Sequence, residues 1–282
     1  MAPAAPRQAA VLGSPIAHSL SPVLHNAAYR ELGLDGWSYR AIECDAEGLP
    51  GLVSSLGPQW AGLSLTMPLK RAVLPLLDIT DRLAADVGAA NTVVLRDGQR
   101  LGYNTDVPGL VTAMRQGGIT PGGNVVVLGG GATACSAAAA LAACGVREIT
   151  VAVRVPARAE PVRAVAGHLG VRAVVIELGP ELEQAPWDLV ISTIPAAGAA
   201  AVAARLAGGT MVATALFDVV YDPWPTPLAR AAEAAGSAVI SGYELLVHQA
   251  AGQVELMTGQ PAPVAAMHAA GLAELTRRRN IR

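Results

Sequence analysis

The chain has 282 residues, 52% hydrophobic and only 15% charged, so it carries ample material for buried cores and is not a disordered polymer. With 20 basic against 22 acidic residues, it offers no electrostatic footprint for nucleic acid or a membrane surface. Cys44, Cys135 and Cys144 show neither CxxC nor metal-ligand spacing. Such a sparse, odd set suits a reducing cytoplasm.

No apolar run reaches the length of a membrane span without interruption, and "MAPAAPRQAA" lacks the layout of a signal peptide, so it reads as a short loose tail. At roughly 100–200 residues per domain, the length points to two domains. "AAVLG" reads as a first strand. "SPVLHNAAYRELG" follows as a helix, with Ser21 as N-cap, Pro22 at the first position and Gly33 at the stop. "WSYRAIE" and "AGLSLT" are further strands, and "NTVVL" and "RLGYN" form a hairpin around Asp97-Gly98. These make an α/β unit of about a hundred residues.

A second unit opens at "GGNVVVLGGGATACSAAAALAACG", where a valine strand enters a glycine turn and an alanine-rich helix. "EITVAV", "RAVVIE", "DLVISTI", "TMVATALF" and "AVISG" recur as strands, with helical patterns between several of them. Such near-continuous apolar strands belong to a doubly wound parallel sheet covered on both faces. After Gly242 a long amphipathic helix, "YELLVHQAAGQVELM", has no strand after it and is expected to return to the first domain. The expected division is 1–106 completed by 243–282, and 107–242.

Within "VVVLGGGATA", Gly129, Gly131 and Ala134 stand in a G-x-G-x-x-A frame between strand and helix, the context a dinucleotide pyrophosphate needs. The next strand ends "TVAVRVPAR", with no carboxylate for the ribose hydroxyls. Arg154 and Arg158 there suit a 2′-phosphate, or are solvated surface charges.

The first unit collects polar residues at strand ends. They are Ser19 and Ser21 in "GSPIAHSLSPVLHN", the chain's only lysine, Lys70, in "LSLTMPLK", Asn91 in "GAANT", and Asn104, Thr105 and Asp106 in "GYNTD". Ligands of α/β folds sit at such ends, and this set suits a small polyhydroxylated acid. Blander readings stand beside it: Ser21 and Asp106 as helix caps, Asn91 and Asn104 as turn residues, His18 and His25 as structural, and the cysteines as buried small residues.

Together these segments resemble the shikimate dehydrogenase family, through "GSPIAHSLSPVLHN", "TMPLK", "GAANT", "GYNTDVPG" and "GYELLVHQAAGQ" in that order. The resemblance implies an N-terminal α/β substrate domain, a Rossmann-like NADP domain and C-terminal helices returning to the first. It implies reversible, NADPH-dependent reduction of 3-dehydroshikimate in aromatic amino acid biosynthesis, by a monomer or homodimer. Lys70 and Asp106 would be the catalytic pair. Ser19 and Ser21 would bind the substrate carboxylate, approached by Tyr221, with Thr66, Asn91 and Gln249 on the ring hydroxyls. Ala132 and Gly242 would join Gly129, Gly131, Ala134, Arg154 and Arg158 around the cofactor. Quinate and aminoshikimate are alternative substrates, and a catalytically silent NADP-binding regulator is a further alternative. The chain departs from the family pattern at Ser64, Cys135, Val153 and Leu245.

Overall fold

A computed structural model describes residues 6–281, so residues 1–5 of the expected N-terminal tail lie outside it. The chain folds into two compact units. One comprises residues up to Thr105 together with those from Leu246 onward, the other Asp106–Leu245.

The first unit is built on six strands: β1 (Arg7–Gly13), β2 (Trp37–Glu43), β3 (Trp60–Leu65), β4 (Ile79–Thr80), β5 (Thr92–Arg96) and β6 (Gln99–Tyr103). Their order is β2-β1-β3-β5-β6-β4. β1 runs parallel to β2 and β3, whereas β5 is antiparallel to both β3 and β6. Arg7 and Gln8, read above as tail, are the first residues of β1 and pair with Trp37 and Ser38. Along β1, Ala10 and Leu12 enter one apolar cluster and Ala9 and Val11 another, so the sheet buries both faces. Each fully buried leucine there contributes about 1.5–3 kcal/mol. The Asp97-Gly98 turn has φ of 53° and 76°, the left-handed pair that matches strand twist in a two-residue hairpin.

Helix α1 (Ser21–Glu31) leads from β1 to β2, and Gly33, φ 67°, turns the chain away just past its C-cap Leu32. Short helices α2 (Leu49–Ser54), α3 (Leu69–Ala72) and α4 (Arg82–Val87) fill the remaining connections. Asp81 caps α4, accepting from the Leu83 and Ala84 N–H groups.

The second unit holds β7 (Val125–Leu128), β8 (Glu148–Val153), β9 (Arg172–Glu177), β10 (Trp187–Ser192), β11 (Ala213–Asp218) and β12 (Ala238–Ser241). The order β12-β11-β10-β7-β8-β9 is parallel throughout and reverses direction between β7 and β10. That reversal is the switch point at which doubly wound sheets open a crevice beyond their carboxyl ends. The helices are α5 (Asp106–Gln116), α6 (Ala132–Ala143), α7 (Glu160–His168), α8 (Ala200–Ala207) and α9 (Pro227–Ala234).

Two helices end the chain, α10 (Gly242–Thr258) and α11 (Val264–Ile281). Met257 of α10 packs with Val11, Tyr39 and Val94, and α11 lies along α1. Among the described residues no helix is long and apolar enough to cross a membrane.

Candidate functional site

In the first unit the polar clusters meet where β1 and β3 end. The loop after β1 is tied to the loop after β3, because Ser14 N–H donates to Met67 O (3.0 Å) and Thr66 N–H to Leu12 O (2.9 Å). Glu43, at the end of β2, holds the first loop from its other side. It accepts from Ser14 Oγ (2.6 Å) and Ile16 N (3.0 Å). On α11, Arg278 donates to His18 O at 2.7 Å and clamps the same loop, a contact 260 residues apart in sequence. Two arginines hold the Glu274 carboxyl on α11 down at about 2.

Ser21 is not the N-cap of α1. It is the first helical residue, Leu20 holds the cap position, and the hydroxyl that serves the helix end belongs to Ser19, which accepts from Ser21 N (3.2 Å). Both serines therefore stand at the helix start, where its dipole favours an anion.

Thr66 directly follows β3, and Lys70 is the second residue of α3. The Lys70 carbonyl accepts from Ala90 N (2.8 Å), which fixes the GAANT segment beside it. Asn91 is 1% exposed and densely bonded. Its Oδ1 accepts from Thr105 N (2.8 Å) and Thr92 Oγ1 (2.9 Å), and its Nδ2 donates to Thr105 Oγ1 (2.9 Å) and Gln249 Oε1 (3.3 Å). The Thr105 N–H can only donate, so it fixes which way the Asn91 amide points. Asn104 donates to Ala89 O (2.9 Å). Thr66, Lys70, Asn91 and Gln249 are thus attached to one end of one sheet, with the Ser19–Ser21 loop tied beside it. His25 is buried among Ser21, Tyr29 and Tyr39, and burial lowers its pKa to about 4.

In the second unit Asp106 opens α5 as its first helical residue and is 4% exposed. Tyr221 lies in the segment after β11, which is organised by buried Asp218. That carboxylate accepts from Val220 N (3.2 Å) and Thr226 Oγ1 (2.7 Å), and burial pushes its pKa up. Gly242 starts α10 so close to the Val219 carbonyl that a Cβ there would collide with it.

The glycine turn leaves β7 at the switch point. Gly129 has φ 114°, and a Cβ there would lie 2.6 Å from Thr193 Oγ1, in the turn after β10. A Cβ on Gly130 would run into the Arg158 carbonyl. Gly131 takes the N-cap position of α6 with no side chain capping it, and Ala132 begins the helix. A Cβ at Gly131 would meet nothing within 4 Å, so the approach to the helix N-terminus is open. Ala134 is fully buried, the small residue that lets helix and strand pack closely. Helix-end N–H groups, a dipole and space for a backbone-hugging anion fit a dinucleotide pyrophosphate. Cys135 and Val153 are buried.

Arg154 immediately follows β8 and is exposed. Arg158 sits in the 3₁₀ turn before α7, Pro156–Ala159. Sheet pairing sets Glu177 opposite Val153, a carboxylate that the strand's own sequence did not announce. Among the described residues no cluster of three or more His, Cys, Asp or Glu could hold a metal.

Two family models match the chain. One, described as the shikimate dehydrogenase substrate binding domain, covers residues 11–93, and the other, the shikimate 5'-dehydrogenase C-terminal domain, covers 242–270. A shikimate dehydrogenase (NADP(+)) of Thermus thermophilus is 38% identical over 262 residues, spanning 89% of this chain and 92% of the relative. The crystal structure of Mycobacterium tuberculosis shikimate dehydrogenase superposes with a TM-score of 0.85 at 44% identity, covering 95% of this chain and 100% of that one. A Thermus thermophilus structure in complex with NADP(H) and shikimate gives a TM-score of 0.80 at 34% identity, covering 95% and 99%.

Proposed function

Because the chain belongs to the shikimate dehydrogenase family, we propose how its own residues carry that family's reaction. The protein is an NADP-dependent oxidoreductase that reversibly reduces 3-dehydroshikimate to shikimate. The unit that runs up to Thr105 and resumes at Leu246 is the substrate-binding domain, and Asp106–Leu245 is the NADP domain, so the boundaries expected at 106 and 243 shift to 105 and 246 and Asp106 stands on the NADP side.

The observation that carries the assignment of roles is the attachment of Thr66, Lys70, Asn91 and Gln249 to one end of the first sheet. Ser19 and Ser21 take the carboxylate, with Tyr221 on the same group. Thr66, Asn91 and Gln249 take the ring hydroxyls. In the other domain Gly129, Gly131, Ala132 and Ala134 bring the α6 N-terminus to the pyrophosphate. Arg154 and Arg158 bind the 2′-phosphate, and Gly242 keeps backbone close on the remaining side.

NADPH, when bound, supplies the hydride. As the ketone oxygen becomes an alkoxide, the Lys70 ammonium stabilises the new charge and delivers the proton to that oxygen. Asp106 is the acidic member of this pair. In the oxidative direction the step runs in reverse, and the neutral Lys70 amine takes the hydroxyl proton. The binding residues hold the ring so that this transfer needs no further search. A regulator without catalysis would have no use for an intact lysine–aspartate pair. The reaction takes place in the cytoplasm, on a monomer or homodimer.

The deciding assay crosses shikimate and quinate with NADP⁺ and NAD⁺. Rapid oxidation of shikimate with NADP⁺ is expected, and its absence from the purified, folded chain overturns the reading.

A further inference from the structure

We propose that Gln253, backed by Ser64 and Tyr39, is a positioning residue that sets how well Asn91 and Gln249 hold substrate; the proposal rests on the substrate reading above. Gln253 lies one turn after Gln249 on α10, so the two share a face of the helix. It is 1% exposed. Its Nε2 donates to the Asn91 carbonyl at 3.3 Å, and its Oε1 accepts from Ser64 Oγ at 2.8 Å. Ser64 Oγ in turn accepts from Tyr39 O–H at 2.5 Å.

The chain of bonds has one direction. A backbone carbonyl only accepts, so the Gln253 amide must turn its N–H to Asn91 and its oxygen to Ser64. The single Ser64 proton is then committed, and its lone pair takes the Tyr39 proton. Flipping the Gln253 amide would break both of its bonds. Ser64, one of the positions where the chain departs from the family pattern, therefore serves as a relay between Tyr39 and Gln253.

Behind Tyr39 the order continues. The His25 ring stacks on it with centroids 3.8 Å apart and planes 16° from parallel. His25 Nδ1 contacts the Ser21 carbonyl at 2.9 Å, and since that carbonyl accepts, Nδ1 carries the proton. A continuous buried path thus joins Ser21, at the carboxylate end of the proposed site, to Asn91 and the face of α10 that bears Gln249. Hydrogen bonds that tolerate little displacement hold β2, β3 and α10 on it at one spacing, and α1 joins β2 through the ring stack.

The test is steady-state kinetics with calorimetric binding of shikimate, on wild type, Gln253→Met and Tyr39→Phe. Methionine keeps the length of the side chain and removes both of its bonds. The expected result is a roughly tenfold rise in shikimate KM and Kd, with the NADP⁺ KM unchanged within about twofold. Tyr39→Phe, which removes only the first proton of the relay, is expected to raise shikimate KM by roughly threefold. An unchanged shikimate KM in folded Gln253→Met overturns the proposal, as does an equal loss for both substrates together with a falling kcat. Should Gln253→Met fail to fold, Tyr39→Phe decides, and an unchanged shikimate KM overturns it. A wild type that neither binds nor oxidises shikimate overturns the substrate reading itself. A normal wild type with normal variants overturns only the role of Gln253.

Discussion

If Arg154 and Arg158 bind the 2′-phosphate as proposed, their loss should be read almost entirely by the phosphorylated cofactor. Arg154 leaves the sheet at the end of β8, next to the strand that feeds the glycine turn, and the Arg158 backbone lies against Gly130. Both side chains are exposed, and neither forms an ion pair among the described residues, so both guanidinium forks are available to a phosphate. A hydrogen bond to a charged group contributes about 1.5–3 kcal/mol. Solvent exposure reduces that to about 1–1.5 kcal/mol each, or roughly 5–15-fold in affinity. Arg154→Ala should therefore raise the NADP⁺ KM about tenfold, and the double variant with Arg158→Ala roughly 25–200-fold. The weaker NAD⁺ reaction should hardly change. Because the replaced groups are exposed and unpaired, the thermal midpoint should stay within about 1 °C. Titrating both cofactors against wild type and the three variants is the assay. A wild type that prefers NAD⁺, or variants that weaken both cofactors equally, would refute the reasoning and direct attention to Glu177, opposite Val153, as a ribose anchor.

Lys70→Ala and Asp106→Asn should each lower kcat by roughly 10²–10⁴-fold, and near-normal turnover in a folded variant would dismiss the pair. Since Lys70 is the only lysine, reductive ¹³C-methylation should label one side chain besides the α-amino group, so its titration can be followed directly by NMR. Shikimate should be favoured over quinate in kcat/KM, because quinate carries an extra hydroxyl on the carbon bearing the carboxylate and crowds Ser19 and Ser21; equal rates would contradict this. His25 should make stability pH-dependent. Its folded pKa, about 4, lies below the unfolded 6.5, so its contribution is complete above 6.5 and is lost as pH falls towards 4. The gap corresponds to about 3 kcal/mol at most. Denaturant midpoints across that window should rise with pH in wild type and do so less steeply in His25→Leu; equal slopes would show that carboxylates account for the trend.

Local chemistry wrote much of this molecule into its sequence. Alternation and valine runs located β1, β2, β3 and the strands of the second sheet, because a strand buried on one or both faces must carry that pattern. Asp97-Gly98 announced its hairpin and Gly33 its helix end, because few residues adopt left-handed backbone. The G-x-G-x-x-A frame was legible for the same reason, since the Gly129 φ and the collisions awaiting a Cβ at Gly129 and Gly130 exclude larger residues. The two-residue strand β4 and the single-turn helices were not legible, being too short to show any period. Nor was the cap of α1, because Ser21 is a good capping residue by type and only backbone geometry makes it the first helical residue and puts Leu20 at the cap. Tertiary structure alone decided the contacts that make the first domain's polar end a single device. Gln253 meets Asn91 across 162 positions, Ser64 meets Gln253 across 189, and Arg278 meets His18 across 260. Hydrogen bonds act over about 3 Å, and no local pattern records which distant residue folding will bring within that reach.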